Sequence, residues 1–541
     1  MLGGTIAELF GHILHSFTRD VTEYYNPNEP EFTAESFGYN PLESTGREWY
    51  CHPVDELIYQ EYSDRQGEAT SLEYQVSRCV QVKVTDASSI ENNEETLIAS
   101  HEQREMAWKR LRPSAIRTIC KSMFIGGLIS LVTAVIVGSM NILISYINLK
   151  TEQNCEFSLK KKIPVQVQWM KTISGSILSA FLYIWYFINV LFLFRPFQLI
   201  GVKRKLILTC CLLYCLDVVY RVLLQYFGVS DSELSASQKI PLNVLFITSV
   251  CAQPYLITKH FTGYLWSRKE KLILFFQLVV PGSFCFLLSI LITTFIYPLY
   301  NAQNKNGKLI IALFAPLVGV FLKVISRISV QRLYTITHPG HSFVLLVPLY
   351  CGAAINFRIL QADLSRVQTI VLLGIIHGAA EVIERSTMVF IDHICHQLVK
   401  RRSAPWGSFR TPRRERLMAD ITIMSILFES AAIVSVNGFL YLYQYVYLTN
   451  KPLLSLLQRF AIHTSVQLVI EWFFTSVSLA IETRYQNIAV MAVWKKRWKR
   501  HTLVAIVNAV PIAIWTGTNL SIIVHGRFPE LLNQTCKMPF T

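Results

Sequence analysis

Charge is what this sequence is short of. Only 16% of its 541 residues are Asp, Glu, Lys or Arg, against 52% in the hydrophobic class, and the mean hydropathy is +0.35. An ordinary soluble domain carries about 25% charged residues, so too little charge is left to cover a water-facing surface. That excludes a soluble enzyme, and the apolar content excludes a disordered or fibrous chain. No Gly-x-Ser-x-Gly, no His-Glu-x-x-His and no glycine-rich phosphate loop followed by Lys occurs. Hydrolysis through those motifs and ATP-driven pumping by this chain are therefore not expected, and no cofactor is called for.

The twelve cysteines show no metal-finger spacing, and no metal site is assigned. Cys210, Cys211, Cys215, Cys251, Cys285 and Cys351 lie within apolar runs, where a free thiol behaves as a small hydrophobe. Cys155 and Cys536 fall in polar segments that the topology below puts outside, and they are the disulfide candidates.

The charge that is present is unevenly distributed. Met1 to Glu105 holds 6 Lys and Arg against 20 Asp and Glu, while the remainder holds 45 against 16. The positive charge lies in short clusters between apolar blocks, as a membrane protein requires, so a nucleic-acid partner is not expected. Near the start, Ile6, Leu9, Phe10, Ile13, Leu14 and Phe17 recur at helical spacing and predict a short amphipathic helix over 6–17. With Glu8 and no basic start, it is not read as a cleaved leader. The acidic stretch to Glu105 reads as a loosely folded tail with a strand around Tyr74 to Val84. Within it, Tyr39-Asn-Pro-Leu42 has the form of a Tyr-x-x-hydrophobic sorting signal, a candidate adaptor contact at Tyr39.

Eleven apolar blocks follow: Met123–Ile147, Ile173–Phe194, Leu206–Phe227, Leu242–Ile257, Leu272–Tyr297, Leu309–Val324, Ser342–Phe357, Val367–Phe390, Ile421–Tyr445, Leu456–Ile481 and Val504–Val524. About 20 residues of helix cross a bilayer's hydrocarbon. The fourth, sixth and seventh blocks are short and contain Pro254, Pro316 and Pro348, which predicts kinked or re-entrant segments. Pro281-Gly282, Pro316 with Gly319, Pro348 with Gly352, and Pro511 with Gly517 read as interruptions of the kind that build midplane sites in transporters.

Lys and Arg are more than twice as numerous in alternate connections beginning with Arg104–Lys121 as in the others, which places the N-terminus in the cytosol. The largest inward loop, Val399 to Arg416, carries topogenic charge, with contact to anionic lipid or to the acidic tail as the sharper reading. The run Trp494-Lys-Lys-Arg-Trp-Lys-Arg500 has the composition of a cytoplasmic membrane interface, which needs no partner. An odd number of crossings puts the C-terminus outside, where Asn533-Gln-Thr535 is a glycosylation candidate. The fold class is thus an all-α polytopic integral membrane protein of about eleven transmembrane helices, in a plasma membrane or endomembrane. Residues 1–121 form an acidic cytosolic region, 122–525 the helical bundle and 526–541 a short extracytoplasmic tail.

Ionisable groups at hydrocarbon depth are costly and mark function by default. Asp217 and Arg221, four residues apart, share a helix face. His377, Glu381, Glu384 and Arg385 form a single stripe on the eighth block, and Glu429, His463 and Glu471 lie on the ninth and tenth. Two arginines, Arg221 and Arg385, face five carboxylates there, so the surplus acid must hold a proton, water or a cation. A carboxylate in a low-dielectric cavity exchanges protons near neutral pH, and histidine does so unaided.

The expected function is a transporter or channel moving a small solute or ion through a pathway of Asp217, His377, Glu381, Glu384 and Glu471. Arg221 and Arg385 act as internal counter-ions, membrane lipids are partners, and the coupling is to protons or another cation. An intramembrane lipid-modifying enzyme with His377 or His463 as base is the alternative, and a receptor or lipid scramblase a third. Asp392-His-Ile-Cys-His396 offers metal-ligand types but reads as an interfacial cluster, because nothing in it fixes three converging ligands.

Overall fold

The structure, a computed structural model, describes residues 116–525 apart from 157–164, 195, 230–235, 263–265, 334–335, 338, 363–366, 401–411, 448–451, 485–487 and 489. The amphipathic helix at 6–17, the strand around Tyr74, Tyr39, Asn533 and Cys536 all lie outside the described residues. So does the side chain of Cys155, on the last turn of the first helix.

Among the described residues the chain is helical, without a strand. We label the rods α1 (116–156), α2 (Val165–Leu193), α3 (Lys203–Tyr226), α4 (Ala236–Phe261), α5 (268–302), α6 (Lys305–Gln331), α7 (Val347–Ala362), α8 (Val367–Lys400), α9 (Pro412–Tyr447), α10 (Leu453–Arg484) and α11 (Val490–His525). Each of the eleven apolar blocks maps onto one of them, the seventh beginning upstream in the turn Pro339–Leu345 that precedes α7. Eight rods, α1 to α6 with α9 and α10, are long and apolar enough to cross a membrane. Of the others, α7 is apolar but short, α8 carries Glu381, Glu384, Arg385 and Asp392 along its length, and α11 begins with the basic run through Arg500.

Local chemistry sets several of the ends. Ser267 and Glu270 form a capping box at the start of α5: the Glu270 backbone N–H donates to Ser267 Oγ at 3.3 Å and the Ser267 N–H donates to Glu270 Oε2 at 2.8 Å. Proline opens α9, where its missing N–H has no partner to lose. Gly201, at φ 90°, makes the turn into α3 in a conformation other residues rarely adopt.

The expected breaks are corrected. Helices run through Pro254, Pro281, Pro316 and Pro511 without interruption, and the fourth and sixth blocks extend to full-length rods. Backbone groups freed by proline in such helices are satisfied by neighbouring helices and local adjustment. Only at Pro348 does the expectation meet a discontinuity, since the 3-10 turn Pro339–Leu345 precedes α7. Two π-turns, Ala134–Gly138 in α1 and Ile292–Ile296 in α5, are an irregularity with no sequence signal of that kind.

The bundle is layered around α9, which packs against α1, α7, α10 and α11. In its most apolar stretch 83% of residues are buried, against 17% for α3 at the periphery. A large core joins Met123, Phe343, Leu373, Leu427, Ala432 and Ile512, while α2 to α5 meet in a second one around Trp185, Leu206, Val250 and Leu274. Apolar side chains also point outward: Phe124, Leu208, Ile247, Phe276, Phe321 and Leu454 are all exposed. A helix apolar on both its inner and outer faces is suited to lipid rather than water, so the chain is a membrane-embedded helical protein.

Candidate functional site

The acids singled out in α8, α9 and α10 converge. Glu381 on α8, Glu429 on α9 and Glu471 on α10 each offer a carboxylate oxygen, and the three oxygens lie within 4.8 Å of one another. Close packing of α8 on α10 and of α9 on α10 brings them there. Arg358, from α7, enters the same point: its Nη2 donates to Glu471 Oε2 at 2.6 Å and to Glu429 Oε2 at 3.2 Å. Ser425 donates to Glu381 Oε1 and Thr475 to Glu471 Oε1, each at 3.2 Å. Glu471 is sealed, with 4% of its side chain exposed, whereas Glu381 and Glu429 each keep 18% open. The open side of the trio is therefore that of α8 and α9.

Two arms of polar contacts leave this point. Along α8 and α10, Arg385 donates through Nε and Nη2 to both oxygens of Glu482, each at 2.9 Å, and Thr422 adds a hydrogen bond to Glu482 at 3.2 Å. Along α6 and α8, Lys323 meets Glu384 at 3.4 Å, and its ammonium lies 5.0 Å from the centre of the Tyr350 ring. One turn further, Arg327 donates to Asp392 Oδ1 and to the Tyr350 hydroxyl, both at 3.2 Å. Gln331 donates to Asp392 Oδ2 at 2.7 Å. Both oxygens of Asp392 are thus engaged by α6; Cys395 is half-buried, and the side chains of His393 and His396 lie outside the described residues.

The charge balance read from the sequence is corrected by these contacts. Lys323, Arg327 and Arg358 join Arg385 in the seam, and Asp392 and Glu482 join the acids. The result is four cations against Glu381, Glu384, Glu429, Glu471, Glu482 and Asp392. The surplus of acid is smaller than expected, and it is concentrated at the trio.

Asp217 does not belong to this cluster. It pairs with Arg221 at 2.9 Å on α3, and Arg221 reaches Ser179 on α2 at 3.0 Å. His377 is on α8 one turn before Glu381, and its ring faces the Ala312 carbonyl of α6. His463 Nδ1 and the Tyr441 hydroxyl are hydrogen-bonded at 2.8 Å. A separate buried group joins α9 to α11: Asp420 accepts from Arg416 at 3.3 Å and lies 2.9 Å from His501 Nε2.

Arg358 and Arg327 escape a reading by apolar blocks because each stands just past the end of one, where a charge is assigned to a loop. A signal was present for the second: Lys323, Arg327 and Gln331 are spaced i, i+4, i+8, a polar stripe on α6. Among the described residues the trio is the one group of three acidic, His or Cys side chains whose donor atoms all lie this close together. Comparison with protein-family models, with curated proteins and with solved structures gives no match, so the functional reading rests on the chain's own residues.

Proposed function

We propose that this protein is a multi-pass membrane transporter or channel that binds a proton or small cation at Glu381, Glu429 and Glu471 and moves it along the polar seam. What carries the reading is the convergence of three carboxylates from three helices, with Arg358 bonded to Glu429 and Glu471 and Arg385, already held by Glu482, 3.5 Å from Glu381. Three like charges this close outnumber the guanidinium charge left to them and do not all remain ionised, so in this reading the trio holds a proton or a cation as part of its working state. Broad pairing elsewhere in the seam keeps the surplus at that one point. Glu384 and Arg385 flank it, His377 stands one turn away, and Asp217 with Arg221 serves as a paired structural element outside it.

We further propose about eleven crossings, with α7, α8 and α11 as membrane segments beside the eight apolar ones. The N-terminus is cytosolic and the C-terminus extracytoplasmic. The support is the alternation of Lys and Arg between connections.

The test is flux in reconstituted vesicles loaded with a pH-sensitive dye, under a potassium-clamped membrane voltage and with either a proton or a sodium gradient. Glu381→Gln and Glu471→Gln are each expected to abolish flux while the protein still elutes as a single species in detergent. Full flux in both variants overturns the assignment.

A further inference from the structure

Arg385 stands between two carboxylates and is hydrogen-bonded to one. Its Nε and Nη2 hold Glu482 in a bidentate grip. Its third nitrogen, Nη1, lies 3.5 Å from Glu381 Oε1 and makes no hydrogen bond, although the side chain is only 4% exposed. A buried N–H is seldom left without an acceptor, and the second carboxylate lies at ion-pair distance from this one.

The two carboxylates are equipped alike. α9 supplies a hydroxyl to each, Thr422 to Glu482 and Ser425 to Glu381, at 3.2 Å in both cases. Three residues separate those hydroxyls, so they lie on one face of α9 about a turn apart. Glu381 and Arg385 are four apart on α8 and so share a face, which puts both carboxylates within reach of one guanidinium. On α10, Glu471, Thr475, Ser478 and Glu482 are spaced i, i+4, i+7, i+11 on one face. Ser478, buried and between Glu471 and Glu482 in that spacing, has a hydroxyl without a hydrogen-bond partner among the described residues. It can donate and accept along that line.

We propose that Glu482 is the proton's next station and that Arg385 is the counter-ion that exchanges with it. In the step, Glu381 gives up its proton and becomes the carboxylate partner of Arg385. Arg385 releases Glu482, and Glu482 takes the proton. One O–H bond breaks at Glu381 and one forms at Glu482, so the net charge of the three groups is unchanged. The charged groups facing Arg385 are Glu381 from its own helix and Glu471 and Glu482 from α10. Arg358 and Glu429 stand behind Glu381 and hold the rest of the trio during the exchange. This inference rests on the trio being a proton-loading site, and it commits the transported ion to the proton.

The test separates loading from relay. Dicyclohexylcarbodiimide attacks protonated carboxyls in apolar surroundings, and peptide mass mapping locates the adduct. Labelling of the trio in wild-type protein reports loading, and dye-detected proton flux in vesicles reports relay. Glu482→Gln is expected to keep the trio's label and lose at least tenfold in proton flux, while Glu482→Asp retains flux. The double variant Arg385→Gln/Glu482→Gln removes the buried pair as a neutral unit, and it is expected to fold and to remain inactive. Wild-type flux in Glu482→Gln, or recovery of flux in the double variant, overturns the relay and makes the pair purely structural. An unlabelled trio together with full flux in Glu381→Gln overturns the loading site itself.

Discussion

At the scale of single residues, Arg358 has the most to hold. It gives Glu429 and Glu471 their shared cation, with both partners at hydrogen-bonding distance. Removing one member of a buried ion pair leaves an uncompensated charge, at a cost of about 3–5 kcal/mol. Arg358→Ala is therefore expected to destabilise the protein by about that amount, seen as a lower midpoint of thermal unfolding in detergent. Arg358→Lys keeps the charge but loses the planar fork, and its midpoint falls between the two. The members of the trio were legible in the sequence as acids within apolar blocks. Their meeting point was not, because it depends on which faces of α8, α9 and α10 turn towards each other. Arg327 and Arg358 were misplaced for a simpler reason. A block drawn by hydropathy stops before a charge, so Arg358 fell into a connection although the packed helix buries it.

At the scale of elements, the site depends on how closely α8 approaches α10. Gly378 lies one turn before Glu381, and a β-carbon there would stand 2.3 Å from the Phe474 ring and 3.0 Å from its β-carbon. Neither helix can accommodate that without moving apart, and overpacking of this kind costs about 1–3 kcal/mol. Gly378→Ala is expected to lower the unfolding midpoint accordingly and to reduce vesicle flux by widening the trio. Gly127→Ala is the comparison: its β-carbon would meet Val434 at an ordinary 3.8 Å, and both readouts should stay near wild type. The positions of the rods were readable from the apolar blocks. Their continuity through Pro254, Pro281, Pro316 and Pro511 was not, since a proline's effect in a buried helix is decided by neighbours that a linear pattern does not name.

At the scale of the whole molecule, the orientation we propose rests on charge alone. If alternate connections are cytosolic, Asn533 emerges where glycosylation occurs. Protein expressed in mammalian cells is then expected to lose mass on treatment with an N-glycosidase, and Asn533→Gln should abolish that shift. An N-terminal epitope tag should be reached by antibody only after the membrane is permeabilised. The distribution of apolar surface agrees with a lipid setting: α3 turns most of its residues outward while α9 turns nearly all of them in.

The inward placement of α9 has a consequence for how the protein is made. Asp420 and Glu429 on this helix find their partners on α7 and α11 as well as within α9, and α11 is synthesised after it. A nascent chain that has released α9 but not yet completed α11 holds Asp420 with Arg416 of its own helix but without its histidine neighbour. A chain that ends before α11 is therefore expected to give less protein eluting as a single species in detergent than the full chain does.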